Sequence, residues 1–395
     1  MRKITICILF LLVNLPAYAA VTLLENETGK VELYGTIRGY IGYDMSYTNY
    51  EGTKDVYQEE LMYGLQTNSR IGVNFSINNF FGTAEIGAKE KTFLNSSADA
   101  IGFRWFFAGY KFGNAGSILF GKIDTPSSIG GYNNDIFNID GGANGFGGIM
   151  TGNRRIQLMY KTPINLDISL VTLGDMAVSD ANKIEVTGSE IPRLSLGYNY
   201  SNEKLSLKAV ASYGAAAGKS LENASASALI NAFHVGFAIK PVFNQFYLSL
   251  ITHYGMNADI YNEQATYGLG NRGSTYTFGS NLFTAQVNSD GSINNVSRFG
   301  INLEMGYQIN EVVSIIVSGG YQMTMMDEQM DFNGYGFTDF VNSYSAFLQV
   351  PFKLNGNFSI ITQVGWYSNS AEVNNGSAFY EESALLAGAQ VRYSF

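Results

Sequence analysis

The stretch ALLAGAQVRYSF, residues 384–395, decides how the rest of the chain is read. Leu385, Ala387, Ala389, Val391, Tyr393 and Phe395 form one face, and Gly388, Gln390, Arg392 and Ser394 the other. A period of two, apolar against polar, belongs to a strand that is wet on one side only. The stretch ends on the aromatic Phe395 with no polar tail. Such an ending is expected if the last strand pairs with the first and closes a sheet.

The same period recurs through the chain. Ile71, Val73, Phe75 and Ile77 oppose Arg70, Gly72, Asn74 and Ser76. Tyr344, Ala346, Leu348, Val350 and Phe352 oppose Ser343, Ser345, Phe347 and Gln349. Dyads of roughly ten residues are the signature of transmembrane strands. The alternation predicts strands at 31–44, 67–77, 81–91, 102–112, 116–124, 153–160, 164–172, 192–200, 203–213, 227–239, 244–256, 296–308, 312–324, 342–352, 357–368 and 384–395. Short connections such as 78–80, 113–115 and 241–243 alternate with long ones such as 45–66, 125–152 and 257–295. Short turns on one side and long loops on the other mark an outer-membrane barrel. The expected fold is therefore all-β, a 16-stranded antiparallel transmembrane β-barrel with short periplasmic turns and long external loops. A barrel of that size encloses a lumen too wide for wall side chains to fill.

Composition agrees. Charged residues make up 14% of the 395 residues, against about 25% in ordinary soluble domains. Gly 44, Tyr 26 and Phe 27 are abundant, Pro is 6, and mean hydropathy is near zero. Beyond the N-terminus no apolar run approaches the roughly 20 residues of a spanning helix, so a closed barrel is the remaining way to cross a membrane. At the N-terminus, Arg2 and Lys3, a short apolar run and Ala17–Tyr18–Ala19 read as a signal peptide over 1–19. Residues 20–395 then form a single barrel. The only cysteine, Cys7, leaves with the signal, which excludes disulfides and cysteine metal sites. Loss of Arg2 and Lys3 takes the net charge from −9 to −9 − 2 = −11. So acidic a chain does not suit nucleic acid.

Arg38, Arg70, Arg104 and Arg155 each fall on the polar face of their strand. A cation on the lipid face at mid-membrane costs about 2–4 kcal/mol, so the polar face is the wet interior. Lys111 and Arg154 fall on the other parity and are expected to snorkel at strand ends. Tyr160, Tyr198, Tyr307, Phe352, Trp366 and Tyr393 near strand ends suit aromatic girdles. The connection 125–152 holds eight glycines with Asp135 and Asp140 and no cation before Arg154. His234 and His253, the two histidines, lie on neighbouring strands with inward parity and no evident partner. No metal or catalytic spacing emerges, and neither cofactor nor metal nor catalytic residue is expected.

FRWFFAGYKFGNAGSILFGKIDTP at 103–126 resembles the fourth and fifth strands of the general trimeric porins of Gram-negative outer membranes. VELYGTIRG at 31–39, SRIGVNFSI at 69–77, NRRIQLMYKTP at 153–163 and the final Phe395 resemble the corresponding parts of that family. The resemblance implies an outer-membrane channel, a homotrimer, passing small hydrophilic solutes and ions passively. It implies that 125–152 folds inward as a constriction loop. Its acids, Asp135 and Asp140, would face a basic wall of Arg38, Arg70, Arg104 and Arg155; where the family usually carries the first cation, this chain has Thr36. It further implies that Tyr393 and Phe395 are read by the outer-membrane assembly machinery. The alternatives are a sugar-selective channel lined by Tyr34, Tyr40 and Tyr110, an outer-membrane enzyme built on the histidines, and an adhesin or phage receptor using 257–295.

Overall fold

The computed structural model describes residues 20–50, 56–66, 68–89, 100–137, 143–149, 154–172, 184–220, 222–261, 263–264, 283–331, 337–374 and 376–395. The expected signal segment 1–19 and Asp140 lie outside the described residues.

The strands are β1 (Gly29–Tyr50), β2 (Val56–Leu65 continued by Arg70–Ile77), β3 (Phe80–Lys89) and β4 (Ala100–Lys111). Then come β5 (Ser117–Asp124), β6 (Arg154–Lys161), β7 (Leu166–Val171) and β8 (Ile184–Ser201). β9 (Leu205–Ser220), β10 (Ser227–Phe243), β11 (Phe246–Met256) and β12 (Val296–Gln308) follow. β13 (Ser314–Asp331), β14 (Phe337–Lys353), β15 (Phe358–Val373) and β16 (Ala378–Ser394) complete the wall. Each pairs antiparallel with the next. β16 returns to β1 through the register Thr36↔Ser394 to Tyr50↔Tyr380, which closes the ring. Gly35 and Phe395 exchange both backbone hydrogen bonds, at 2.8 and 3.0 Å. Closure leaves no strand edge in lipid, where each unmet backbone group costs several kcal/mol. A short strand, Val21–Asn26, pairs with Gly29–Leu33 and continues the line of β16.

The wall is inside-out relative to a soluble protein. On β12, Ile301, Leu303, Met305 and Tyr307 are 39–49% exposed, whereas Arg298, Asn302 and Glu304 are at most 1% exposed. Apolar side chains meet lipid and polar ones turn inward, as the alternation requires. Trp366, Tyr198 and Tyr160 are among the exposed outer aromatics. Asn78, Asn165 and Asn244 sit at tight turns with φ of 51°, 64° and 52°, a left-handed conformation that asparagine tolerates better than most residues.

Two irregularities correct the expected strands. Leu65 to Arg70 spans five residues while its partner, Gly39 to Thr36, spans three, so β2 carries a bulge of 5 − 3 = 2 residues. Ser69 holds it closed, accepting at Oγ from the Arg38 N–H at 2.9 Å. On β4, Glu85 pairs with Trp105 and Ile86 with Phe103, so Arg104 is the extra residue of a bulge. Beyond it the parity reverses. Trp105, Phe107 and Lys111 turn inward, not outward as expected, and Tyr110 turns outward beside Phe80. Lys111 stands over the inward Phe81 ring at 5.5 Å rather than snorkelling outward. The strands also run past the expected ends: β1 reaches Tyr50 and β9 reaches Ser220, so 45–66 and 214–226 are mostly paired strand.

Candidate functional site

A row of guanidiniums lines the inner face from β16 to β4. Arg38 and Arg392 are directly opposed across β1 and β16, and Arg392 Nε and Nη2 donate to Gln390 Oε1 at 3.0 and 2.7 Å. Arg70 Nε lies 3.2 Å from Glu85 Oε2 and Arg104 Nε 2.8 Å from Glu85 Oε1. The Tyr34 hydroxyl donates to Glu85 Oε2 at 2.9 Å. Arg38 is within electrostatic range of Arg392, Arg70, Arg104 and Glu85. Arg70 and Arg104 thus share one carboxylate, with Arg38 and Arg392 beside them on the same inner face. Glu85 is buried under its partners, while the Arg70 side chain is 30% exposed. Arg155 shares the inward parity of Gln157, and Arg154 pairs with Asp124 at 3.2 Å. Arg392 was not singled out from sequence, because its pairing with Arg38 depends on closure between the two ends of the chain.

The described parts of 125–152 are bonded to inward-facing side chains on the far wall. Ser127 N–H donates to Ser195 Oγ on β8. Ser249 Oγ on β11 donates to Tyr132 O at 2.5 Å. Asn133 Nδ2 donates to Asn302 Oδ1 on β12 at 2.9 Å. Asn134 N–H donates to Glu304 Oε2 at 2.7 Å, and Gln349 Nε2 on β14 donates to Asn134 O at 2.8 Å. Gln66 Nε2 on β2 donates to Ile136 O at 2.5 Å. Ile136, Phe137 and Phe146 pack with Tyr40, Tyr367 and Leu386 in one apolar cluster.

Asp135, expected on the acidic side of the constriction, is held at β15. Its carboxylate is fully buried against β15, where Tyr367 OH donates to it at 2.7 Å and Gln363 Nε2 at 2.8 Å. Tyr34 and Tyr40 do not form an aromatic file with Tyr110: Tyr34 is bound to Glu85, Tyr40 is covered by Ile136 and Phe137, and Tyr110 is on the outer face.

A second connection, between β11 and β12, also turns against inward-facing side chains. Asn257 has φ 55°, and the chain then makes a buried turn over Ala258–Tyr261. This corrects the reading of 257–295 as a wholly external loop; 265–282 lie outside the described residues. Glu263, 2% exposed, meets Arg193 Nη1 of β8 at 2.7 Å, Ser212 Oγ of β9 at 2.6 Å and His234 Nδ1 of β10 at 2.5 Å. Ser127 Oγ donates to it as well. Burial alone would raise the Glu263 carboxyl, but Arg193 and His234 outweigh it and hold the group below the usual carboxylate range. On β12, Arg298 Nη1 lies 2.8 Å from Asp259 Oδ1. Sequence reasoning gave no signal for Glu263 or Asp259, which sit in an irregular stretch.

His234 therefore has a serine and a carboxylate beside it, contrary to expectation. Ser212 Oγ and Glu263 Oε2 both approach Nδ1, at 2.9 and 2.5 Å. A nucleophile relay needs the two groups on opposite ring nitrogens, and all three side chains are buried. His253 Nδ1 is occupied by Gln264 Nε2 at 2.5 Å. The arrangement orders loops; it does not present a nucleophile.

No protein-family model matches the chain, and no curated protein does. Solved structures do. The outer membrane channel DcaP of Acinetobacter baumannii superposes with a TM-score of 0.63 at 15% identity, over 95% of this chain and 100% of that one. The fold is that of the Gram-negative outer-membrane porins. The anion-selective porin from Comamonas acidovorans aligns at TM-score 0.51 and 12% identity, over 93% of this chain and 100% of that one. Salmonella typhi OmpF, in complex with daunomycin, aligns at 0.51 and 14%, over 94% and 99%. Within the porin fold, the guanidinium row stands on the inner wall, and the apolar outer belt is that of an outer-membrane barrel.

Proposed function

We propose that this chain is an outer-membrane porin, a channel through which small hydrophilic solutes and ions diffuse passively, and that it prefers anions. The observation that carries this reading is the inner wall: Arg70 and Arg104 flank Glu85, and Arg38 and Arg392 stand directly opposed beside them. Like charges directly opposed across strands are unfavourable. Each guanidinium attracts a monovalent anion 4 Å away by about 1 kcal/mol in bulk-like water, more where water is scarce. Asp135 accepts from Tyr367 OH on β15. The overall negative charge of the chain favours cations only weakly, because charges beside the narrow part of a pore dominate selectivity.

In this reading 125–152 narrows the lumen, supported by its bonds to β8, β11, β12, β14 and β15. Arg155 extends the basic side, Asp135 anchors the loop, and Asp140 is assigned to the loop's acidic side. The homotrimer and the reading of Tyr393 and Phe395 by the assembly machinery rest on the family resemblance; OmpT of Vibrio cholerae, of the same fold, has been solved in a trimer form. The test is the reversal potential of the purified protein in a planar bilayer under a potassium chloride gradient. Anion preference is the expected result. Cation preference overturns the assignment of the wall, and absence of current overturns the channel.

A further inference from the structure

Among the described residues, Glu263 is the carboxylate held by three wall strands and by 125–152 at once. Its partners are Arg193 on β8, Ser212 on β9, His234 on β10 and Ser127 at the start of 125–152. Ser127 is itself tied to Ser195, whose Oγ donates to Ser127 Oγ at 2.7 Å. The stretch that carries Glu263 enters the interior by a defined route. Asn257 Nδ2 donates to Asn231 O and to Asn295 Oδ1, each at 2.9 Å. Its Oδ1 accepts from Val296 N–H at 2.9 Å. That bracket pins the left-handed turn from which Ala258–Tyr261 departs.

The wall has seats for Tyr261 and Gln264. A Cβ at Gly214 on β9 would collide with the Tyr261 hydroxyl, and one at Gly255 on β11 would meet Gln264 Oε1 at 2.5 Å. A larger residue at either place would have to displace Tyr261 or Gln264. The Tyr261 ring lies 4.9 Å from the Arg193 guanidinium, and Ile260 and Tyr261 pack with Ala216, Ile230, Ala232 and Val287. Ionic, aromatic and apolar contacts thus converge on one short piece of chain.

We propose that Asn257–Tyr261, with Glu263 and Gln264, is a second, releasable barrier in the lumen, and that Glu263 is the latch that holds it and ties it to the base of 125–152. The proposal rests on the channel reading given above. A buried ion pair with one partner removed leaves the other charge stranded. Arg193 would then keep its guanidinium without its carboxylate; a glutamine keeps one acceptor oxygen for a serine hydroxyl but offers Arg193 no charge. Asp259 stays paired with Arg298 at 2.8 Å, so the end that carries Tyr261 and Glu263 exchanges between seated and released forms while the Asn257–Asp259 end stays in place.

The experiment compares the full-length protein with Glu263→Gln, which keeps the shape and removes the charge, and with Tyr261→Ala, which keeps the charge and removes the aromatic seat. Two measurements are made on each: backbone hydrogen exchange over 258–264, and single-channel current in a planar bilayer. Losing a hydrogen-bonded charge predicts roughly a tenfold or larger rise in exchange over that stretch, with β12 and β13 unchanged, and more frequent high-conductance openings. Unchanged exchange in Glu263→Gln overturns the latch, whatever the current does. If that variant does not assemble, Tyr261→Ala decides: a tenfold or larger rise in exchange although the Glu263 charge is kept overturns the latch. Increased exchange with unchanged openings overturns the barrier. Absence of current in wild type and variants alike is instead the failure of the channel reading, and is recognised as such because exchange is measured independently.

Discussion

Tyr367→Phe removes one hydroxyl and nothing else, and so isolates what anchors 125–137 to the β15 wall. The ring is fully buried and packs edge-on against Phe146 at 5.4 Å, a contact phenylalanine retains. The hydroxyl lies 2.7 Å from both oxygens of Asp135. A hydrogen bond to a charged group contributes about 1.5–3 kcal/mol, which is roughly a 10- to 150-fold change in an equilibrium constant. Gln363 Nε2 at 2.8 Å and the Phe137 N–H at 2.9 Å still reach the carboxylate, so the lower end of that range, about tenfold, is expected. The readout is hydrogen exchange of the Asn134, Ile136 and Phe137 amides. These are bonded to side chains, Glu304, Gln363 and Asp135 respectively, so they report the seating of the loop rather than the strand ladder. Exchange should rise by about tenfold at all three together. A rise at Phe137 alone would mean that only its local bond to Asp135 had loosened. No rise at all would refute the anchor and, with it, the argument that Asp135 is committed to the wall rather than to the pore.

Three further outcomes are expected. Leu303→Arg on the outer face of β12 should cost about 2–4 kcal/mol in urea unfolding from lipid vesicles, because Leu303 is 43% exposed where lipid lies; a cost near zero would place that strand face elsewhere. Arg70→Gln with Arg104→Gln removes the two cations paired with Glu85 and should shift the reversal potential toward cations, whereas an unchanged potential would take both out of the conduction path. Deletion of Phe395 removes the two hydrogen bonds to Gly35 and should lower the yield of assembled barrel before it alters the conductance of the protein that does assemble; a normal yield would count against its role in closure and assembly.

The strand alternation was legible because lipid enforces it: an outward residue that is not apolar is costly, so Ile301, Leu303 and Met305 advertise their face in the sequence. The signal fades where lipid ends. Ser46, Thr48 and Asn49 continue β1 beyond the apolar belt, still paired with β16, yet their polarity reads as loop. It also fails at a bulge. One extra residue at Arg104 leaves every later side chain of β4 with the wrong parity, and nothing in FRWFFAGYK marks the slip, since both faces there are aromatic.

The site was legible only as far as it lies on strands. Arg38, Arg70, Arg104 and Arg155 follow from parity, but Arg392 joins Arg38 only when the two ends of the chain meet. The acidic partners follow from no period at all. Asp135 and Glu263 sit in irregular backbone, where neighbours in space are set by the path of a loop, and those paths are decided by glycine gaps and by side chains from distant strands. This asymmetry bears on how a barrel of this fold is tuned. A substitution on a strand moves one charge at a fixed place. A substitution at Asp135 or Glu263 moves a whole segment, because each carboxylate is committed to holding chain rather than to facing solute. On the proposed function, the wall then sets the sign of the field, and the loop carboxylates set how much of the lumen is open to feel it.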